Sequence, residues 1–190
     1  MTEMIDKKMQ RVHNNAECLK SKIDINQALD KMASEITAKL QHENPLLLCV
    51  MVGGLIPAGH LATRLDFPLQ MDYLHVSRYG KSTRGGDLHW FVEPRADLKG
   101  RTVLIVEDIL DGGLTLTAII DYCQKQHAKA VYTAVVVDKI REREPDALKK
   151  ADFTGMEVPD KFLYGFGLDY DEYMRNHFGI YAVSDADLHG

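Results

Sequence analysis

Apolar residues recur at two different spacings along this 190-residue chain. Leu29, Met32, Ile36 and Leu40 stand three or four positions apart, the spacing of a single stripe along a helix. Residues 46–52 form instead a continuous apolar run, which suits a strand covered on both faces. The two patterns then alternate. Residues 57–65 predict a helix, 71–76 a strand, 80–86 a polar glycine-containing loop, and 88–92 a further strand. Four aliphatic residues at 103–106 predict another buried strand, a glycine turn leads to a helix over 115–126, and 130–137 is one more continuous apolar strand. Strands separated by helices in this way predict an α/β fold around a central parallel sheet, and no internal repeat interrupts it. With 45% hydrophobic residues, a chain of this length can bury one substantial core, and a single domain over 1–190 is the simplest expectation.

The run at 103–106 stops at Glu107 and Asp108, and Asp111, Gly112, Gly113, Leu114 and Thr115 follow. Ligands of open parallel sheets bind beyond the carboxyl ends of the strands, which is where these carboxylates fall. Glycines let the backbone approach a phosphate, and the start of the next helix offers N–H groups and the positive end of a dipole. Three acids would repel a bare phosphate. The ligand should therefore also carry hydroxyls, a metal ion or a developing positive charge, and a phosphorylated sugar has all of these. The plain structural alternative is a solvated strand end, with Asp111 turning the chain and Thr115 opening the helix. A second glycine pair, Gly53 and Gly54, follows Met51 and Val52 and reads as a tight turn or as a second anion-binding loop.

The string VLIVEDILDGGLT at residues 103–115 resembles the phosphoribosyl pyrophosphate signature of the type I phosphoribosyltransferases: an aliphatic run, two acids, two aliphatics, Asp, two small residues, any residue and Thr. The resemblance implies that fold, with helices flanking the sheet and a small hood made from the terminal segments. It implies that Glu107 and Asp108 face the ribose hydroxyls, that Asp111 to Thr115 hold the 5′-phosphate, and that Asp111 meets an imidazole nitrogen of the purine as general base or proton relay. Carboxylates accept hydrogen bonds from sugar hydroxyls and favour positive charge on the ribose ring as pyrophosphate leaves. Val52, Gly53 and Gly54 occupy the family's pyrophosphate loop, where a non-proline cis peptide is frequent and would fall between Met51 and Val52. Val52 itself stands where many relatives have a basic residue, and so does His75 on the next strand. The loop after residue 76 matches a mobile lid that excludes water, with Arg78 and Tyr79 in place of a common Ser-Tyr pair.

Residues 158–175, VPDKFLYGFGLDYDEYMR, are similar to the C-terminal signature of hypoxanthine-guanine phosphoribosyltransferases. That likeness puts Phe162 against the purine face, the backbone of Leu163 at the base edge, Lys139 on the six-position oxygen, and Arg175 on pyrophosphate. It makes Asp169 an acid beside the purine and, with Glu107 and Asp108, a candidate contact of magnesium. An aromatic face suits a planar base, and a lysine donor favours an oxo group over the amino group of adenine. Each residue has a plainer alternative. Phe162 alone suits a core, Asp169 suits the cap of a helix starting near Tyr170 with Arg175 in its last turn, and Lys139, Arg141 and Arg143 suit a solvated charged run.

Charge and composition narrow the field. A net charge of −5 and a pI near 5.9 argue against a general nucleic-acid surface. Cys18, Cys49 and Cys123 are odd in number and widely spaced, and no signal-peptide pattern opens the chain, so reduced thiols in a cytoplasm are expected. The longest apolar stretch, 46–58, is broken by glycines and a proline and is too short to span a bilayer. The eight histidines show no zinc-ligand spacing, whereas magnesium, which keeps waters and uses substrate phosphates with one or two carboxylates, suits the acids. The expected partners are phosphoribosyl pyrophosphate, a six-oxopurine, a nucleoside monophosphate and pyrophosphate, with assembly as a homodimer or homotetramer implied by the family. The competing expectations are a xanthine-preferring transferase and a non-catalytic regulator that senses phosphoribosyl pyrophosphate.

Overall fold

The computed structural model describes residues 2–78 and 88–188. In chain order its elements are α1 (Thr2–Asn15), β1 (Glu17–Lys20), α2 (Lys22–Leu40), β2 (Leu46–Met51), α3 (Leu55–Ala62), β3 (Gln70–Arg78), β4 (Leu88–Val92), β5 (Thr102–Leu110), α4 (Leu114–Lys125), β6 (Ala130–Ile140), β7 (Phe153–Pro159), β8 (Leu163–Tyr164) and β9 (Ile180–Ala182). Six of the strands form one sheet in the order β4-β3-β2-β5-β6-β7. All its neighbours pair in parallel except β3 and β4, so the expected parallel sheet carries one antiparallel edge strand. A smaller sheet, β1-β9-β8, is built from the two terminal regions, as a hood requires.

The helical stripe at the start of the chain folds as its spacing predicts. Ser21 caps α2 by accepting from the Asp24 N–H while the Asp24 carboxylate accepts from the Ser21 N–H, a reciprocal cap that satisfies two otherwise orphaned donors. Leu29, Met32, Ile36 and Leu40 are all buried and pack, with Ala58 and Leu61 of α3, on Leu47, Leu104, Val106 and Val136 of the sheet. Leu116, Ile119 and Cys123 of α4 cover the other face, against Leu48, Val50, Val103, Ile105 and Val135. This two-sided cover is why β2 and the first half of β5 read as unbroken apolar runs. Among the described residues no helix is long and apolar enough to cross a membrane.

Several boundaries differ from the sequence expectation, and each shift bears on the site. The strand expected over 103–106 continues to Leu110, so Glu107 and Asp108 lie inside β5, where its register to β6 persists as far as Leu110 opposite Asp138. Strand β6 likewise runs past residue 137 to Ile140 and carries Lys139. Helix α3 begins two residues before Pro57 and ends at Ala62, because the turn at Gly54 already has helical dihedrals. No helix follows Asp169. Asp171, Glu172 and Met174 all have positive φ, and Tyr170 and Tyr173 pair across a tight turn, which a helix forbids. Periodicity alone does not predict helix α1 or the strands β1, β7, β8 and β9.

Candidate active site

Asp108 is almost wholly buried, and glycines make room for it. A Cβ on Gly53 would overlap the Asp108 carboxylate, one on Gly54 would collide with the carbonyl oxygens of Val50 and Val106, and one on Gly167 would strike the Gly53 carbonyl. Gly167 also has φ +108°, a conformation that L side chains rarely adopt. The turn after β2 is therefore pressed directly onto the acid end of β5. The Met51–Val52 peptide is cis, at the bond that the resemblance singles out, and the Val52 side chain is exposed.

The acids are held in an uncomfortable state. Burial pushes the Asp108 carboxyl up to about 6, Arg175 opposes this, and the negative Asp169 adds to it. Glu107, partly buried beside it, is raised well above the ordinary range, first by burial and then by Asp108. Arg175 donates from Nη1 to the Gly167 carbonyl at 2.6 Å, and its Nη2 lies 2.8 Å from Asp169 Oδ1. The other Asp169 oxygen accepts from the Glu172 N–H at 2.9 Å, closing the turn that replaces the expected helix. One region thus contains Glu107, Asp108, Asp169, Arg175, Gly53 and Gly54, and all but the glycines are coupled through charge.

The loop after β5 forms the neighbouring part. Gly113 precedes α4 with φ +81°, and a Cβ there would meet the Leu148 carbonyl, so this position needs glycine twice over. Helix α4 starts at Leu114, which leaves the N–H groups of its first turn, Thr115 included, free of intrahelical partners and facing the same end as the acids. Asp111 does not stand free. Its Oδ2 lies 3.2 Å from Lys139 Nζ and its Oδ1 2.7 Å from Arg141 Nη1, while Asp160 sits 3.6 Å and 3.7 Å from the same two cations. Burial raises the Asp111 pKa, but the two cations and their hydrogen bonds outweigh it and hold the carboxyl below its ordinary value.

Phe162 is 50% exposed and meets Tyr170 edge-on, with ring centroids 6.1 Å apart. It is an available aromatic face rather than a core residue. Leu163 is buried in β8 opposite Ala182, and the preceding Phe162 carbonyl accepts from Val183 N–H at 2.9 Å. Strand β3 closes at Arg78, and Tyr79 lies outside the described residues. His75, in place of a basic residue, lies against Phe91 with centroids 4.8 Å apart.

Four participants escaped the sequence argument. Gly167 had a visible signal in the Gly-x-Gly spacing between Phe162 and Asp169. Asp160 had none beyond its place before Phe162. Thr117 donates to the Gly113 carbonyl and accepts from Leu148 N–H at 2.8 Å, bracing the glycine loop before α4 from inside the helix. Arg143 is not part of a solvated run, because its side chain is only 6% exposed and is bonded to backbone on three segments.

The donor set suits a hard divalent cation. Glu107, Asp108 and Asp169 offer oxygens, and a cation would relieve the burial and repulsion that raise the first two. Among the described residues no group of three or more His, Cys, Asp or Glu side chains closes into a metal cage, so most ligands would come from water and substrate.

Comparison with known proteins agrees with this geometry. The model of the phosphoribosyl transferase domain matches residues 17–171. A hypoxanthine-guanine phosphoribosyltransferase of Bacillus subtilis is 36% identical over 165 residues, covering 86% of this chain and 91% of the relative. A solved hypoxanthine phosphoribosyltransferase from Staphylococcus aureus superposes with a TM-score of 0.85 at 26% identity, over 92% of this chain and 95% of that one. Another, from Trypanosoma cruzi and complexed with the product IMP, gives 0.82 at 27% identity over 90% and 93%. The chain belongs to the phosphoribosyl transferase family.

Proposed function

We propose that the chain is a purine-salvage transferase that joins hypoxanthine or guanine to 5-phosphoribosyl 1-pyrophosphate, forming IMP or GMP and pyrophosphate. The observation that carries this is the grouping, at one end of the sheet, of an acid pair under a glycine turn, a glycine-started helix, and Lys139 beside Asp111. Glu107 and Asp108 accept the ribose hydroxyls. The 5′-phosphate rests on the N–H groups of Asp111, Gly112, Gly113, Leu114 and Thr115. The purine stacks on Phe162 with Leu163 at its edge, and Lys139 donates to the six-position oxygen.

In the reaction the bond from the anomeric carbon to pyrophosphate breaks, and its electron pair leaves with the pyrophosphate oxygen. A purine ring nitrogen forms the new bond to that carbon, and the proton displaced from the imidazole ring passes to Asp111. The fixed negative charge of Glu107 and Asp108 favours the cationic ribose between these events. Arg175 and the N–H groups of Val52 and Gly53 face the departing pyrophosphate, whereas the Gly54 N–H, also expected there, is taken by the Val50 carbonyl at 2.8 Å. Magnesium, touching Glu107, Asp108 or Asp169, supplies charge neutralisation for the leaving group when bound. A cytoplasmic setting is supported by three free thiols, and homo-oligomeric assembly by the exposed apolar side chains of Val52, Leu55, Met71, Tyr73 and Phe91.

The test is a magnesium-dependent turnover assay with phosphoribosyl pyrophosphate and hypoxanthine, guanine, xanthine or adenine, in which nucleotide and pyrophosphate are measured together. Nucleotide from hypoxanthine or guanine with little from adenine is expected. Saturable phosphoribosyl pyrophosphate binding with no product from any base would replace this reading with a sensor, and a clear preference for xanthine would change the substrate.

A further inference from the structure

Strands β5 and β6 stay in register through Leu110 opposite Asp138, and the ladder between them ends there. Asp111, just beyond the end of β5, and Lys139, the next residue of β6, are the proton-handling and base-reading groups of the proposed reaction. Their separation is therefore not fixed by β5–β6 hydrogen bonds. The side chain that takes over is Arg143. Its Nε donates to the Asp111 carbonyl at 2.7 Å, and its Nη2 donates to the carbonyls of Leu110 and Lys139, both at 2.8 Å. The same Nη2 is 2.5 Å from the Asp138 carboxylate, and Nη1 reaches the Lys149 carbonyl at 2.9 Å.

This arrangement uses what is particular to arginine. Its planar guanidinium is permanently charged and holds its donors in a rigid fork, so one side chain can grip several carbonyls at fixed angles. A buried charge is tolerated only when paired and hydrogen-bonded, and the mostly buried Asp138 supplies the pair. The far side of the clamp is anchored too. Lys149 Nζ donates to the carbonyls of Arg143 and Glu144, and the adjacent Leu148 packs on Gly113 and donates to Thr117.

We propose that Arg143 is a positioning residue that extends the β5–β6 ladder by one step and so fixes Asp111 relative to Lys139. This inference rests on the phosphoribosyl-transfer reading of the site. Arg143 acts not on substrate but by holding at one spacing the two groups that meet neighbouring atoms on one edge of the purine, the six-position oxygen and the imidazole nitrogen. Loss of the fork therefore costs turnover and purine recognition more than phosphoribosyl pyrophosphate binding, most of whose contacts lie on β5, the turn after β2 and the residues from Gly112 into α4.

The test compares wild type with Arg143→Lys, which keeps the charge but not the fork, and with Asp138→Asn, which keeps the fork but not its counter-charge. Steady-state constants for hypoxanthine and for phosphoribosyl pyrophosphate, and the melting temperature, are measured for each. Arg143→Lys is expected to lower kcat by roughly 10- to 100-fold, the scale of a small misplacement of reacting groups. It should raise the KM for hypoxanthine and leave the KM for phosphoribosyl pyrophosphate within about 3-fold, a change below half of one tenfold step. Asp138→Asn should show the same split to a smaller degree, and it carries the test alone if Arg143→Lys does not fold. A lowered melting temperature with unchanged kcat, or equal losses for both substrates, would overturn the proposal. No turnover by wild type with any oxopurine would instead overturn the reading on which it rests.

Discussion

Asp108→Asn should stabilise the ligand-free protein while damaging its chemistry. Burial lifts the Asp108 carboxyl from an ordinary 3.8 to about 6, against the pull of Arg175. Between those pH values the folded state retains a proton that the unfolded chain has released, so stability falls as the pH rises from about 4 to about 6. Above that window the full penalty is present, and at 1.36 kcal/mol per pH unit it is about 3 kcal/mol. Asparagine carries no charge to bury, and it also removes the repulsion that helps to raise Glu107. The variant should therefore gain up to about 3 kcal/mol at pH 7 and little near pH 4. Urea unfolding across pH 4 to 8, read as the midpoint at constant slope, measures this. A variant no more stable than wild type at pH 7, or a gain independent of pH, would refute the reasoning. Turnover should move the other way, because on the proposed assignment a charged acceptor for a ribose hydroxyl is lost; such a bond is worth about 1.5–3 kcal/mol, or roughly 10- to 150-fold.

Three more substitutions separate the parts of the site. Asp111→Asn should slow nucleotide formation by about 100-fold or more if Asp111 takes the proton, with phosphoribosyl pyrophosphate still bound in an equilibrium assay; unchanged turnover would remove that role. Phe162→Ala should weaken purine binding by roughly 5- to 150-fold, the worth of about 1–3 kcal/mol for a base on an aromatic face. Because the ring is half exposed, calorimetry should show little loss of stability, and equal weakening of both substrates would mark it as a packing residue instead. Gly113→Ala forces a Cβ onto the Leu148 carbonyl at a positive φ, so it should cost on the order of 1–3 kcal/mol in denaturant unfolding and raise the KM for phosphoribosyl pyrophosphate. A variant with wild-type stability would show that the loop relaxes freely there.

Where one side of an element was uniformly buried or the chain carried a fixed chemical string, the sequence was readable. The α2 stripe, the apolar run of β2 and the glycine turn before α4 fall where spacing puts them, since each is set by neighbours close in the chain. The carboxyl ends of β5 and β6 were harder. There apolar periodicity gives way to Glu107, Asp108, Asp138 and Lys139, and pairing between strands far apart in sequence holds the extended backbone. The turn at 169–175 misled for a similar reason: Asp169 does accept a backbone N–H, as a helix cap would, but it closes a tight turn with positive φ beyond it. Arg143 could not be told from a solvated arginine, because its partners are mostly carbonyl oxygens, which leave no mark on residue identity.

The charges at the strand ends also bear on base choice. Lys139 is 11% exposed and its ammonium is paired with both Asp111, at 3.2 Å, and Asp160, at 3.6 Å. On the proposed assignment an incoming purine turns the Asp111 carboxylate off Lys139 while the Asp111 backbone stays clamped by Arg143. In the proposed site a six-oxopurine would replace what is removed: its oxygen would accept from Lys139, its imidazole N–H would donate to Asp111, and Asp160 would stay as the counter-ion. Since Asp111 is 44% exposed, breaking its pair with Lys139 costs only about 1 kcal/mol or less. Adenine gives the same imidazole contact but presents an amino group to the ammonium, so two donors face each other and the lysine loses an acceptor without replacement. Leaving such a donor unsatisfied costs about 1–3 kcal/mol, and more for a charged group. The proposed site would therefore discriminate against adenine chiefly through a penalty on the wrong base, and neutralising Lys139 should relax selectivity even as it weakens the binding of hypoxanthine.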